Sequence, residues 1–344
     1  MIPRNISTCA RKALKAVPRV LGGLLFLGLA GCSADAPLNY LKPVGPAAKS
    51  ADDLWRLTFG IAVVIFFLVE GGLVFVLVKY RQRSPKDSPK QVHGNARLEI
   101  LWTLIPTLIL GAVVAPPTVK GIFEMSAAPT ADTLKIKVIG HQWWWEYRYP
   151  EGVVTANELH IPTGRPVRLE LTSVDVIHSF WVPKLAGKQD VVPGRVNYLN
   201  IESPRAGEFA GQCAEFCGLS HANMRVTAIA QSPADYDAWV KGQLSDAPKP
   251  SGGLAAAGQD LFLEGSCAGC HTIKGTPAQG TLAPNLTHLA SRATFAAGMF
   301  PRDDENLKRW LENPPARKPG SKMPNLRLKQ DDILALVAYL DTLK

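Results

Sequence analysis

The chain has 344 residues, enough for two or three domains with cores of their own. Its 38 Lys and Arg against 29 Asp and Glu give a formal charge of +9, but residues 1–32 carry five basic and no acidic residues, residues 79–97 six basic and one acidic, and together they account for +10. The remainder is near neutral, so the charge reports membrane topology, with basic residues kept on the cytoplasmic side, and excludes a nucleic-acid partner.

Residues 1–31 read as a targeting segment. Arg4, Arg11, Lys12, Lys15 and Arg19 precede the apolar run Val20–Ala30, which is too short to span a bilayer comfortably and suits a signal-peptide core. Leu29-Ala-Gly-Cys32 resembles a bacterial lipoprotein cleavage box, which implies a lipidated Cys32 at the mature N-terminus; ordinary signal cleavage nearby leaves Cys32 incidental. Residues 32–53 then form a periplasmic N-terminal segment.

Residues 54–125 read as a transmembrane helical hairpin. Leu57–Val78 is apolar apart from Glu70, and Ile100–Val119 is interrupted by Pro106 and closed by Pro116-Pro117. Each is long enough to cross a hydrocarbon core of about 30 Å. The basic connection faces the cytoplasm and both outer ends face the periplasm of a bacterial inner membrane. Glu70, inside the first span, is costly unless it meets a partner or water, and has no assigned role. Glu99 stands at the cytoplasmic start of the second span.

From residue 132 to 243 the pattern is that of short strands. Leu134–Val138 and Val167–Leu171 alternate with period two, Val196–Ile201 and Met224–Ala230 are further runs, and Pro150, Pro162-Thr-Gly164, Pro183 and Pro193-Gly194 punctuate them. Such spacing predicts an all-β sandwich or barrel. Pro233–Gln243 reads as a short amphipathic helix.

Within this region Cys213-Ala-Glu-Phe-Cys217-Gly-Leu-Ser-His221-Ala-Asn-Met224 gathers two thiols, an imidazole and a thioether in one loop. Soft sulfur donors with imidazole favour copper, and two shared thiolates can bridge two copper ions, given a second His from elsewhere. Zinc suits Met poorly, while a disulfide is the structural alternative in an oxidising compartment.

Residues 244–253 form a linker containing Pro, Gly and Ser, and 254–344 form a second soluble domain. Cys267-Ala-Gly-Cys270-His271 is the attachment pattern for covalent haem c. Leu254–Glu264 predicts a helix leading into it, and Asp331–Leu343 a C-terminal helix carrying Tyr339 and capped by Asp331 or Asp332. The distal ligand is expected at Met323, in Pro319-Gly-Ser-Lys-Met-Pro324, with Met299 and His288 as rivals. Of six Cys, Cys9 falls in the leader, Cys32 at the cleavage box, two at the copper loop and two at haem.

The copper loop, with Asp175-Val-Ile-His178-Ser-Phe-Trp-Val-Pro183 and Gly140-His-Gln-Trp143-Trp-Trp145, resembles cytochrome c oxidase subunit II. The resemblance covers about residues 50–243, and residues 254–344 resemble a class I cytochrome c. It implies a cupredoxin-like Greek-key domain beside an all-α cytochrome domain. It also implies a binuclear copper A centre held by His178, Cys213, Cys217, His221, Met224 and the carbonyl of Glu215. Trp143 matches the family's electron-accepting Trp, and Glu99 the residue at the mouth of a proton-uptake path, although a solvated headgroup-level carboxylate explains Glu99 as well. The Glu215 side chain and Asp190, near Arg195, match a segment where the family binds magnesium against subunit I; a surface salt bridge explains Asp190 and Arg195 equally.

The implied function is that of the electron-accepting subunit of a haem-copper oxidase. Its partners would be oxidase subunits I and III and cytochrome c or another periplasmic donor, with oxygen reduced in subunit I. A copper-containing nitric oxide reductase would use the same loop, a quinol oxidase subunit II lacks its ligands, and a lipid-anchored electron shuttle would need no helical hairpin.

Overall fold

In the computed structural model, residues 36–84, 88, 91 and 93–344 are described; the leader, with Cys9 and Cys32, lies outside them. The first apolar run lies in helix α1 (Pro46–Lys79), which begins inside the stretch expected to form the N-terminal segment. At 1.5 Å per residue its 34 residues extend about 51 Å, longer than a hydrocarbon core of about 30 Å. Helix α2 (Ala96–Met125) is the second candidate span. Phe59, Phe66, Phe67 and Phe75 of α1 and Ile100, Trp102 and Leu108 of α2 are all exposed, an apolar surface suited to lipid.

The expectation that Pro116-Pro117 closes the second span is corrected. A π-helical segment, Ile109–Val114, joins the α-helical Ala96–Leu108 to the α-helical Ala115–Met125. Proline has no N–H to donate, and the wider turn resets the register so that the pair falls in the first turn of the next segment, where donors lack intrahelical partners anyway. At the other end Asn95 caps α2 by accepting from the amides of Arg97 and Leu98, and its own N–H donates to Glu99 Oε1 at 3.3 Å.

The outer ends of both helices meet the β domain. The amides of Val44 and Gly45 donate to the carbonyl of Lys184, and Asn200 Nδ2 donates to the carbonyls of Met125 and Ala127. A Cβ on Gly45 would stand 2.3 Å from the Leu185 carbonyl oxygen, so this approach needs glycine. Lys79, where α1 ends, and Ala96, where α2 begins, therefore lie at the opposite end of the hairpin from the β domain.

The β domain is a sandwich of two five-stranded sheets. One has the order β3 (Val154–Ala156), β2 (Trp144–Arg148), β1 (Leu134–His141), β5 (Val167–Ser173), β8 (Asn197–Ile201). The other runs β4 (Glu158–Pro162), β10 (Arg225–Gln231), β9 (Gly207–Cys213), β6 (His178–Trp181), β7 (Gln189–Val191). Pairs β1–β5 and β4–β10 are parallel and the others antiparallel. Alternation in β1 and β5 sends Ile136, Val138, Leu169 and Leu171 inward against Phe180, Leu159 and Ile161 of the facing sheet. This is the expected cupredoxin-like fold, and the loop between its last two strands, β9 and β10, carries Cys217, His221 and Met224. Helix α3 (Pro233–Gln243) closes one end, with Trp239 stacked on His160 at 4.1 Å.

The C-terminal domain is helical. Helix α4 (Gly253–Glu264) crosses the terminal α7 (Gln330–Thr342), and α5 (Asp304–Glu312), α6 (Pro314–Arg317) and the small hairpin β11 (Thr294–Phe295)–β12 (Phe300–Pro301) complete it. Asp331 and Asp332 do not cap α7: the cap position is Lys329, and both carboxylates sit in the first turn, where the helix dipole favours them without a capping hydrogen bond. The α4–α7 crossing turns on Gly258, where a Cβ would stand 1.9 Å from the Ala335 carbonyl oxygen. Gly258→Ala must push the two helices apart, and is expected to destabilise this domain by about 1–3 kcal/mol, measured as a lower thermal midpoint for its unfolding in the full-length protein.

Candidate metal and haem centres

The loop after β9 folds back on itself: the Cys213 amide donates to the Met224 carbonyl, and the Ala214 amide to that of Ser179 on the neighbouring β6. Gly218, at φ +111°, reverses the chain under the ring of Trp143, a conformation that disfavours any Cβ. The result is a convergence of donors. Cys213 Sγ lies 3.8 Å from Cys217 Sγ and 3.9 Å from His178 Nδ1, and Cys217 Sγ lies 3.6 Å from His221 Nδ1 and 3.9 Å from Met224 Sδ. The Glu215 carbonyl is 3.3 Å from Cys213 Sγ. Cys213, Cys217, Met224 and His178 are buried.

These distances test the alternatives. A disulfide needs sulfurs about 2.05 Å apart, and 3.8 Å is too long for one. Two neighbouring thiols, with the His178 nitrogen beside Cys213 and the His221 nitrogen and Met224 thioether beside Cys217, fit soft-metal coordination with sulfur shared between ions. The hydrogen bond between the thiols draws the Cys213 pKa far down, and the same bond, with burial, drives that of Cys217 up.

Asp175 orients His178. Its Oδ1 accepts the Nε2 proton of His178 at 2.9 Å, which leaves Nδ1 facing the sulfurs, and its Oδ2 accepts the Gln142 amide at 2.7 Å. The imidazole also needs space from behind: a Cβ on Gly140 would stand 2.8 Å from His178 Cδ2. On the loop's far side, Gln142 Nε2 and Trp143 Nε1 both donate to the Cys217 carbonyl, at 2.8 and 2.9 Å.

Trp143 is not an exposed docking aromatic here. It is 7 % exposed, because the C-terminal domain covers it. Gly320 lies against its ring, where a Cβ would be 2.6 Å away, and Lys318 Nζ donates to its backbone carbonyl at 2.6 Å. The Ser220 hydroxyl of the metal loop donates to the Pro319 carbonyl at 2.6 Å. Burial pushes the Lys318 pKa down to about 7.

Cys267, Cys270, His271 and Met323 line an apolar cavity of about 730 Å³ that reaches Trp143 and Asp175 of the β domain. His271 Nδ1 donates to the Pro284 carbonyl at 2.7 Å, leaving Nε2 as the free ring nitrogen, and burial lowers the imidazole pKa. Trp310 Nε1 donates to Met323 Sδ at 3.2 Å. Met299 lies in the β11–β12 turn and does not line the cavity; His288 has both ring nitrogens against backbone carbonyls, those of Lys344 and Ser245. The cavity, two free thiols and an imidazole with a bare nitrogen fit a covalently attached haem.

Glu215 and Asp190 are exposed, and among the described residues the only group of three or more His, Cys, Asp or Glu donors is His178, Cys213 and Cys217. The magnesium expectation thus finds no oxygen-ligand cluster among the described residues. Several contributors carried no assigned role in the sequence reading: Asp175, Gly140, Lys318, and Glu158, whose buried carboxylate accepts the amides of Ala293 and Thr294 across the domain interface. For Asp175 the signal was available, a carboxylate three residues before a His; one buried Lys or Glu among many charged residues gives none.

Known proteins are similar to this chain along most of its length. Residues 36–120 match the transmembrane domain of cytochrome c oxidase subunit II, 152–231 its periplasmic domain, and 255–344 the cytochrome c family. The chain is 41% identical over 330 residues to cytochrome c oxidase subunit 2 of Alkalihalophilus pseudofirmus, covering 93% of this chain and 95% of that one. It is 34% identical to a quinol oxidase subunit 2 of Bacillus cereus, covering 70% of this chain and 84% of the relative. Among solved structures, the periplasmic domain of cytochrome oxidase subunit II of Bradyrhizobium japonicum is similar at 32% identity, covering 33% of this chain and 95% of that one, with a TM-score of 0.32. With a near full-length relative at this identity, the chain belongs to the cytochrome c oxidase subunit II family, and it carries a cytochrome c domain at its C-terminus.

Proposed function

We propose that His178, Cys213, Cys217, His221 and Met224, with the Glu215 carbonyl, hold a binuclear copper A centre, and that Cys267, Cys270, His271 and Met323 hold haem c. Both groups, when bound, carry one electron at a time. The chain then receives electrons at its cytochrome domain from a periplasmic donor, passes them across the interface at Trp143 to the metal loop, and delivers them to haem in subunit I. There oxygen is reduced to water with proton translocation, in the bacterial inner membrane, and subunit III completes the partner set. Glu99, at the loop end of the hairpin, is the proposed mouth of a proton path.

One observation carries this reading: the cytochrome domain sits on Trp143, and the loop bearing Met323 touches both the indole ring, through Gly320, and the metal loop, through Pro319. The residues themselves do the positioning. Asp175 fixes the His178 tautomer, Gln142 and Trp143 fix the Cys217 carbonyl, and the Pro284 carbonyl fixes His271. A quinol oxidase reading, suggested by the Bacillus cereus relative, gives no task to the two buried, unbonded thiols or to the haem attachment motif.

Oxygen consumption by the purified complex with reduced cytochrome c tests the whole reading; nitric oxide reduction without oxygen consumption would hand it to the alternative enzyme class. Cys217→Ser is expected to abolish copper binding and leave haem attached, since a hydroxyl is a far poorer bridging ligand than a thiolate. Metal analysis that still finds two coppers, with unchanged near-infrared absorption, refutes the assignment. Asp175→Asn should lower copper affinity by about 10–100-fold, read by competition with a chelator, because the amide holds the His178 ring less firmly. Met323→Ala should leave haem attached through Cys267 and Cys270 while lowering its reduction potential; an unchanged potential there, with a changed one in Met299→Ala, would mark Met299 as the ligand.

A further inference from the structure

Five ties cross between the β domain and the cytochrome domain. Glu158 accepts two amides at 293–294, the Arg225 amide donates to the Ala297 carbonyl, Ser220 bonds Pro319, Lys322 reaches Asp175 at 3.3 Å, and Lys318 makes the fifth. Even the linker is held: the Ala247 amide donates to the Lys274 carbonyl, and Lys274 Nζ bonds the Leu244 carbonyl. The cytochrome domain is docked, and is no free tethered shuttle.

Lys318 differs from the other four. It is only 5 % exposed, and among the described residues no carboxylate comes within ion-pair distance of it. Its ammonium donates instead to two backbone carbonyls, Trp143 at 2.6 Å and Ala296 at 3.0 Å. Burying this amino group without a carboxylate partner costs free energy that a hydrocarbon side chain would not. What the ammonium achieves, and a hydrocarbon cannot, is to hold two carbonyls at a fixed separation. Those carbonyls belong to different domains: Trp143 lies between β1 and β2, and Ala296 in the β11–β12 turn. Lys318 itself lies in the loop that carries Met323, two residues before the Gly320 that presses on the indole ring. One nitrogen atom thus joins the Trp143 backbone, the small hairpin and the Met323 loop.

We propose that Lys318 is a positioning residue that locks the Met323 loop over Trp143 and so sets the rate at which electrons cross from the cytochrome domain to the metal loop. This rests on the function proposed above. Stability alone does not explain the residue, since the other four ties and the apolar contacts hold the domains without burying a lone cation.

The test uses the purified oxidase complex and Lys318→Met, which keeps the unbranched stem out to Cε and removes the donor. Backbone hydrogen exchange at 141–144 and 318–322 is expected to speed up by about tenfold or more, because two buried carbonyls lose their partner. Electron transfer from reduced haem c to copper, followed by rapid optical methods, should slow in the same variant, with haem content, copper content and haem potential as in the wild type. Lys318→Gln, which keeps N–H donors on a shorter stem, should fall between the two, and carries the same readouts if the Met variant does not assemble. Wild-type exchange in these variants overturns the positioning role, and faster exchange with unchanged transfer overturns its control of the rate. A wild-type complex that shows no transfer from haem to copper instead refutes the relay itself, and the rate-setting role with it.

Discussion

Two sulfur atoms held 3.8 Å apart, within reach of a shared metal and beyond reach of a bond, are the constraint on which the β domain depends. Thiols this close can be oxidised to a disulfide once they come within bonding distance, so the fold must hold them apart. It does so from the backbone. The loop is pinned at its base by Cys213 to Met224, turned by Gly218, and fixed at the Cys217 carbonyl by donors from Gln142 and Trp143. The parallel β4–β10 and β1–β5 pairs build the sandwich whose end carries that loop. The fold supplies a frame rigid enough for side chains on two segments to gather around the two sulfurs.

The same carbonyl links the metal loop to the cytochrome domain. Cys217 is joined through its carbonyl to the Trp143 indole, Trp143 through its carbonyl to Lys318, and Lys318 by chain to the Met323 loop. A short series of hydrogen bonds and covalent links thus runs from one candidate redox site to the other. Motions of either loop that broke these bonds would leave buried carbonyls unpaired, which makes the docked arrangement strongly preferred over a half-open one.

Much of this was legible in the residues because the chemistry is written locally. The metal loop packs four donors into twelve residues, the haem motif five residues into one turn, and the strand alternation of Leu134–Val138 and Val167–Leu171 reads directly as β1 and β5. The departures have local physical causes too. The Pro116-Pro117 pair reads as a helix stop, and the π segment ending at Val114 carries the helix through it. Asp331 reads as a cap, and the chain starts α7 just ahead of it. What could not be read was the relation between domains. Lys318 contacts Trp143 across 175 residues, and Glu158 contacts Thr294 across 136. Neither residue stands out from the chain's other charges by type or spacing; only the docked arrangement makes them buried, and only burial makes them informative.

Fusing the cytochrome to the metal domain changes what each surface must do. Were donor and acceptor separate in the proposed relay, the indole face would have to be both a docking surface and a path, exposed and binding weakly enough to release. Here the chain's own cytochrome covers Trp143, which is free to be buried, hydrogen-bonded and rigid, and the encounter becomes intramolecular with a fixed geometry. In the proposed relay, recognition of the external donor falls to the outer surface of the cytochrome domain, where release still matters. That division explains why the interface is built from a lone buried ammonium, a buried carboxylate and backbone bonds. Such groups are poor material for a transient contact, because each costs desolvation at every encounter. They suit a contact made once, when the chain folds.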